Sequence, residues 1–404
     1  MQRTDAFIID AVRTPIGKYG GVLRDVRPDD LSAIIIQALI ERTKIDPTLI
    51  DDVIWGCANQ AGEDCRNVGR MSAILAGLPY SVPATTVNRL CGSSMDAIIH
   101  AARAVWSGDL EIVIAGGVES MSRAPYSIPK NQSGSFGNVT AFDTALGWRY
   151  PNSKMESAID GPLESMGETA ENVAVKYKIT REDQDKFACE SHMKAVKAQN
   201  DLKFREEIIP VKIPQKGGEP IIINRDEGPR ADTSVEKLSK LQSAFRKNGT
   251  VTAGNSSSLN DGAASVLVVS EKKAQSLNVK PLAKIISTGI VGVDPRFMGI
   301  GPIPAVQMAL KKAGLTLNQI DIIELNEAFA AQSLAVIKDL NIDVSKLNVN
   351  GGAIALGHPL GCSGARIMTT LLHEMVRRKL RYGLATMCIG VGQGIAIIVE
   401  NQRQ

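Results

Sequence analysis

The stretch TVNRLCGSSMDAIIHAA, residues 86–102, decides the fold. Thr85-Thr86-Val87 is β-branched and reads as the end of a strand. Met95, Ile98, Ile99, Ala102, Val105 and Trp106 then recur at the offsets of one helix face. Cys91 therefore stands where a strand gives way to a helix. A cysteine there packs as a small hydrophobe or acts as a nucleophile, because a helix N-terminus presents unpaired N–H groups and positive potential.

Working outward, the same text returns 270 residues later. Leu90-Cys91-Gly92-Ser93-Ser94 lies opposite Leu360-Gly361-Cys362-Ser363-Gly364. Upstream, LSAIIIQALIERTKIDPTLIDDVIWG (31–56) and AVQMALKKAGLTLNQIDIIELN (305–326) both read as helix, turn and strand, with Ile50-Asp51 matching Ile320-Asp321. Downstream, Ile367, Met368, Leu371, Leu372 and Met375 mark a second amphipathic helix, and each helix leads into an apolar strand, EIVIAGG (111–117) and YGLATMC (382–388). Alternating strands and helices predict an α/β chain of two duplicated halves. Pseudo-symmetry would bring both strand-to-helix junctions to one central cleft, where α/β sheets bind ligands. The halves are expected over 1–121 plus 246–275 and over 276–404. The unrepeated stretch 122–245 reads as an inserted domain, too long for a plain loop. It opens on loop composition, carries helical segments at ETAENVAVKYKI and REDQDKFACESHMKAVKAQ, and ends basic with Arg225, Arg230, Lys237, Lys240, Arg246 and Lys247. That basic end is either solvated surface or a grip on a phosphorylated ligand.

Composition narrows the function. The 404 residues carry a formal charge of only +3 and few aromatics, which disfavours a nucleic-acid partner. No apolar stretch reaches the ~18 residues of a membrane span, and no signal-peptide core opens the chain. Six cysteines without a CxxC pair suit neither a disulfide framework nor a zinc site, so no metal is expected and a reducing cytoplasm fits.

Three further segments bear chemistry. NGGAIALGHPLGCSGARI places His358 three residues before the counterpart of Cys91, and a Cys–His pair is a standard way to activate a thiol whose ordinary pKa is ~8.5. TMCIGVGQGIAIIVE places Cys388 before a glycine turn; a strand follows that turn, whereas a dinucleotide site needs a helix there. Glycines at the turn let backbone N–H groups approach a substrate. IELNEAFAAQ sets Asn326 at a strand end, with Glu327-Ala328-Phe329 opening a helix that Asn326 would cap.

In these segments the sequence resembles the thiolase family. The matching stretches are NRLCGSSMDA, GGVESMS, ETAEN, VTAGNSSSLNDGAAS, NEAF, GGAIALGHPLGCSG and CIGVGQG, in the family's order over nearly the whole chain. The resemblance implies a layered αβαβα sandwich of two duplicated halves with an inserted loop domain. It also implies reversible, CoA-dependent thiolysis of a 3-ketoacyl-CoA to acetyl-CoA and a shortened acyl-CoA. On that resemblance Cys91 is the acyl-accepting nucleophile, His358 takes its proton and Cys388 is the acid/base at the acetyl carbon. Asn326, through a water, and His358 hold the enolate oxygen, while the N–H groups of Cys91 and Gly390 form a second oxyanion hole. Ser257, Ala253, Phe245, Met298, Phe329 and Met166 would line the CoA site, with Arg230 near the adenine and phosphates. Coenzyme A and acetyl-CoA would be substrates, with no permanently bound cofactor, and the assembly a homodimer or homotetramer.

Ser165-Met166-Gly167 departs from the His-Met-Gly of short-chain biosynthetic members, and Ser94 and Ser258 stand where many members have glycine. YGGVLRDVRPDDLSA, GCANQAGEDCRNVGRM, FDTALGWRY and DPRFMGIGPIPA resemble the bacterial branch that acts on 3-oxoadipyl-CoA in aromatic catabolism. Arg149 would then pair the acyl chain's distal carboxylate, with Arg123, Lys130 and Lys154 in the same region. A general 3-ketoacyl-CoA or acetoacetyl-CoA thiolase is the alternative within the family. Outside it, a non-catalytic lipid-binding protein on this fold would need a missing catalytic residue, and a Cys–His hydrolase would leave Cys388 without a role.

Overall fold

The computed structural model describes residues 4–130, 138–159 and 161–403. The main strands are β1 (Ala6–Arg13), β2 (Asp52–Gly56), β3 (Ala84–Val87), β4 (Ile112–Ser120), β5 (Asn260–Ser270), β6 (Ala283–Gly292), β7 (Ile322–Leu325), β8 (Tyr382–Ile389) and β9 (Gln393–Asn401). Their order is β7-β8-β9-β6-β1-β5-β4-β2-β3, with the short Gly17–Lys18 strand hydrogen-bonded to β5. The first-half pairs β3-β2 and β2-β4 are parallel, as is β7-β8 in the second. A parallel bridge from Ile323 to Leu347 supplies the counterpart of β3. The two halves join where Phe7 and Ile8 pair with Lys284 and Ala283.

The duplication is in register. The helix Ser93–Ser107 starts 270 residues before the helix Ser363–Arg378, and β4 starts 270 residues before β8. Asp51 Oδ2 accepts the N–H groups of Glu111 and Ile112; Asp321 Oδ2 accepts those of Arg381 and Tyr382. Each half thus pins the start of its central strand with one carboxylate.

Strand alternation builds the layers. Ile8, Ile54, Val113, Ala115, Val266 and Val268 face inward onto Ser93–Ser107 and Ser363–Arg378, and from the other side so do Ile285, Ile322, Met387, Ile395 and Ile397. The intervening residues Phe7, Ile9, Val53, Trp55 and Leu267 face outward onto the helix Pro28–Thr43. Ile323, Leu325, Leu384 and Ile398 face outward onto the helices Pro302–Ala313 and Ala330–Leu340. The result is the expected αβαβα sandwich with the helices Ser93–Ser107 and Ser363–Arg378 in the middle. Those helices touch at their first turns. A Cβ on Gly364 would come within 2.5 Å of Met95 Cβ, and Ala365 N–H donates to Ser94 Oγ at 2.9 Å. Gly364 therefore lets the two strand-to-helix junctions meet.

The helices Met166–Tyr177 and Arg181–Asn200 confirm the helical segments read in the insertion. A buried cation ties this region to β1. Arg13 bonds Glu207 at 2.7 Å and Asp226 at 2.7 and 3.0 Å, with its guanidinium over the Phe204 ring. A buried charge of that size persists only when its donors are paired.

Candidate active site

Cys91 sits on the 3-10 turn Leu90–Gly92 that joins β3 to Ser93–Ser107. Leu90 adopts φ 46°, a left-handed conformation unfavourable for a residue with a side chain. Short bonds hold it there: Leu90 N–H to Asn88 Oδ1 at 2.9 Å, Arg89 N–H to Ser93 Oγ at 3.0 Å, and Ser93 O–H to Leu90 O at 2.6 Å. The turn brings the thiol up to the β8–β9 hairpin, where the nearby Gly390 N–H acts to lower the thiol pKa. That hairpin is strained as well, with Val391 at φ 62°.

Cys388, two residues before Gly390 on β8, is 1% exposed and packs with Met298, Ala328 and Phe329, and Met166 rests on the same group. Burial pushes its thiol pKa well up, and negative charge on Cys91 pushes it further. The two thiols thus feel one another across the turn: a thiolate on either keeps the other protonated.

His358 lies in the loop before Ser363–Arg378 and is 5% exposed. Its Nδ1 is 2.6 Å from Ser363 Oγ, whose own hydrogen is directed at Pro359 O, 2.9 Å away. Asn326 Nδ2 lies 3.4 Å from both Nε2 and Nδ1 and so favours neither nitrogen. A serine that donates to Pro359 accepts from Nδ1–H. That contact selects the tautomer with Nε2 as the basic nitrogen. Burial, then the positive charge of Arg366, lowers the His358 pKa to about 3.

These environments correct one expectation. Cys91 at its helix start was read as an ionised thiol. Burial instead raises it to about 11, against the lowering effect of the Gly390 and Cys91 N–H groups. These shifts favour the thiol form of Cys91 and the neutral form of His358.

Asn326 also differs from its reading as a helix cap. The helix begins at Ala330 with Phe329 as its N-cap residue, so NEAF is a loop. Asn326 N–H extends the sheet by donating to Thr386 O at 3.0 Å, which leaves the side chain for the imidazole.

The residues read as a CoA site mostly converge. Phe245 stacks edge-to-face on Phe329 at 6.2 Å between centroids and is 42% exposed, and a Cβ on Gly167 would strike its ring. Met298 and Phe329 are buried, Met166 is partly buried, and Ser257 and Ala253 lie on the segment that bridges to Phe329, with Ser257 N–H bonded to Ala328 O at 2.9 Å. Arg230 is exposed on a separate loop, its N–H on His192 Nδ1 at 3.2 Å. Within the basic stretch, Arg246 pairs with Glu168 and Lys237 with Asp232. Arg149 donates to Thr144 O at 2.7 Å and Asn59 Oδ1 at 2.9 Å, and Arg123 pairs with Glu63.

Two buried carboxylates that brace the loops of the site do not stand out in the sequence. Glu119 is buried and accepts the N–H groups of Ala58, Asn59 and Gly361 at 3.0, 3.1 and 2.7 Å, fastening the His358 loop to the first half. Burial raises it to about 7. Glu327 accepts Ser191 Oγ, Asn348 Nδ2 and Ile354 N–H and fixes the glycine-rich loop before His358. Cys57, Asp64 and Glu119 come within metal-ligand range of one another. Their lone pairs are committed to the three N–H groups on Glu119, the Gly62 N–H and the Cys57 thiol on Asp64, so this cluster is a clamp.

Family models match at residues 6–272 (thiolase, N-terminal domain) and 279–401 (thiolase, C-terminal domain). The chain belongs to the thiolase family. It is 55% identical to a β-ketoadipyl-CoA thiolase of Acinetobacter baylyi, covering 98% of this chain and 99% of that one. It is 53% identical, with the same coverage, to a 3-oxoadipyl-CoA/3-oxo-5,6-dehydrosuberyl-CoA thiolase of Escherichia coli. Human mitochondrial 3-ketoacyl-CoA thiolase superposes with a TM-score of 0.92 at 41% identity, over 99% of this chain and 100% of that one. The protein is thus an acyltransferase of thiolase type, for which coenzyme A is a substrate and no permanent cofactor is needed. Among the described residues no helix is long and apolar enough to cross a membrane.

Proposed function

We propose that this thiolase cleaves 3-oxoadipyl-CoA with coenzyme A, giving acetyl-CoA and the four-carbon dicarboxylic acyl-CoA. The observation that carries the reaction is the placing of two thiols, the half-buried Cys91 and the buried Cys388, on either side of the Gly390 turn. Cys91 attacks the 3-keto carbon as its proton passes to His358 Nε2. The N–H groups of Cys91 and Gly390 receive the oxyanion, and each such donor is worth ~2.7–4 kcal/mol of barrier. Cleavage of the C2–C3 bond leaves its electrons on C2 as an acetyl-CoA enolate. His358 and Asn326 hold its oxygen, and Cys388 S–H protonates C2. The incoming CoA thiol then gives its proton to Cys388, its sulfur takes the acyl group from Cys91, and His358 returns the first proton to Cys91. A thiolate serves as both nucleophile and leaving group, so the acyl transfer is nearly isoenergetic in both directions.

The substrate choice rests on the two 3-oxoadipyl-CoA relatives and on the pocket's need for a cation. A distal carboxylate left unpaired in a buried site costs several kcal/mol. Arg149, fixed by Asn59 beside the Glu119 clamp, is the candidate partner. Steady-state thiolysis should give 3-oxoadipyl-CoA a kcat/KM about tenfold to a hundredfold above that of uncharged 3-ketohexanoyl-CoA, and Arg149→Ala should narrow the ratio by slowing the charged substrate. Equal efficiency, or preference for the uncharged chain, would reassign the enzyme to general 3-ketoacyl-CoA cleavage.

The same reading takes 1–121 plus 246–275 and 276–404 as the catalytic halves, 122–245 as the substrate-binding insertion, and a homodimer or homotetramer in the cytoplasm as the working form. The outer edge of β3 ends the sheet path, and exposed Met71, Ile74, Leu75 and Tyr80 lie close by in sequence, which favours self-association.

A further inference from the structure

The oxyanion hole assigned above takes one N–H from the Cys91 turn and one from the Gly390 turn. The two lie about 300 residues apart in sequence, and each holds a side-chain-bearing residue in the left-handed region, Leu90 and Val391. Strained turns of this kind persist only where their surroundings over-determine them. Close apolar contact presses these two together. A Cβ on Gly390 would lie 3.4 Å from Leu90 Cδ1, and one on Gly92 would lie 2.6 Å from Ile389 Cδ1. Contacts of that sort keep the turns adjacent yet permit them to slide.

One polar link supplies direction. Arg89 Nη1 donates to Gln393 Oε1 at 2.9 Å, and Arg89 Nε lies 2.9 Å from Asp96 Oδ2. Arg89 precedes Cys91 by two residues. Gln393 opens β9 directly across the hairpin from Ile389, so it closes the turn that presents Gly390. Asp96 is on the first turn of the helix behind Cys91 and is 5% exposed. The guanidinium is therefore anchored to the helix by one nitrogen and to the opposite hairpin by another. We propose that Arg89 and Gln393 form a strut that sets the separation of the Cys91 and Gly390 N–H groups, and that both are positioning residues for acyl transfer. This rests on the reading of those two N–H groups as the oxyanion hole.

The strut positions donors for a charge that develops only in the transition state, so its loss should appear in kcat and spare KM. Gln393→Ala is expected to slow acylation of Cys91 by acetyl-CoA about tenfold to a hundredfold, somewhat less than outright removal of a donor, with KM within about twofold of the parent. Gln393→Glu keeps an acceptor for Arg89 and should restore most of the rate. Arg89→Ala combined with Gln393→Ala should be no slower than the slower single variant, as for two residues acting as one unit. Rapid quench with intact-mass and peptide analysis reads the label, and thermal melting runs alongside. Parental-rate labelling of Gln393→Ala at Cys91, a loss confined to KM, or equal damage in Gln393→Glu would overturn the strut. Absence of label from Cys91 of the parent would instead overturn the site reading beneath it.

Discussion

Ser363→Ala tests the tautomer on which the proposed proton transfer depends. The substitution deletes the Oγ that lies 2.6 Å from His358 Nδ1 and leaves the buried Nδ1–H without that acceptor. An unsatisfied buried donor costs ~1–3 kcal/mol. In the resting enzyme the ring escapes part of that cost by moving its proton to Nε2, which takes away the base. The parental tautomer must be restored before each attack, so the cost falls on the acylation step, as a decrease of about fivefold to 150-fold. The nucleophile itself is untouched. Ser363→Thr keeps the hydroxyl at the first helical residue, and thermal melting shows whether this buried position accepts the added methyl. Rapid-quench acylation by acetyl-CoA, with the label mapped to Cys91, gives the rate for all three proteins, and binding of CoA by calorimetry gives the control. Near-parental acylation by Ser363→Ala would refute the argument, as would equal losses in the alanine and threonine variants.

Cys388→Ala should still be acylated at Cys91 yet fail to exchange the α-protons of acetyl-CoA, measured by deuterium uptake; retained exchange would reduce Cys388 to a packing residue. The thiol held at about 11 ionises as pH rises, so inactivation by iodoacetamide should accelerate about tenfold per pH unit between pH 7 and 10. A plateau at or below pH 8.5 would show that Cys91 rests as a thiolate. Cys362 gives an internal comparison: it is fully buried and held at about 12, so it should stay unlabelled by acetyl-CoA while Cys91 takes the acetyl group.

The repeat was legible because it rests on periodicity and on short local words, and both survive in one chain without reference to partners. Asp51 and Asp321 could be aligned from the text; that each caps the N–H groups of a strand sixty residues on could not. The candidate catalytic residues stand out in the sequence through their family words. What the words concealed was burial. Cys91 looks like an activated thiol from its position at a helix start, and only the protein atoms packed around it show that desolvation outweighs the local N–H groups. Glu119 and Glu327 look like ordinary acids within GGVESMS and NEAF, because their partners Gly361 and Ser191 lie far away in sequence. NEAF read as a helix start because its composition favours one; pairing of Asn326 N–H with Thr386 O holds the backbone extended instead.

The position of β5 has a consequence for how the chain reaches its native state. This strand lies between β1 and β4, pairing Val268 with Val113 and Ile8 with Val268. The first-half sheet therefore cannot close until residue 270 is available, after the whole insertion has been made. During synthesis, β1, β2, β3 and β4 wait with unpaired edges and apolar faces, the condition under which chains associate wrongly. Pairing across so long a separation also makes the conformational search slow. The second half has no such delay, since β8 and β9 follow one another through a tight hairpin. Refolding should accordingly show a fast phase carried by the later half of the sequence and a slow one set by the capture of β5, in reverse of the order in which the ribosome delivers them.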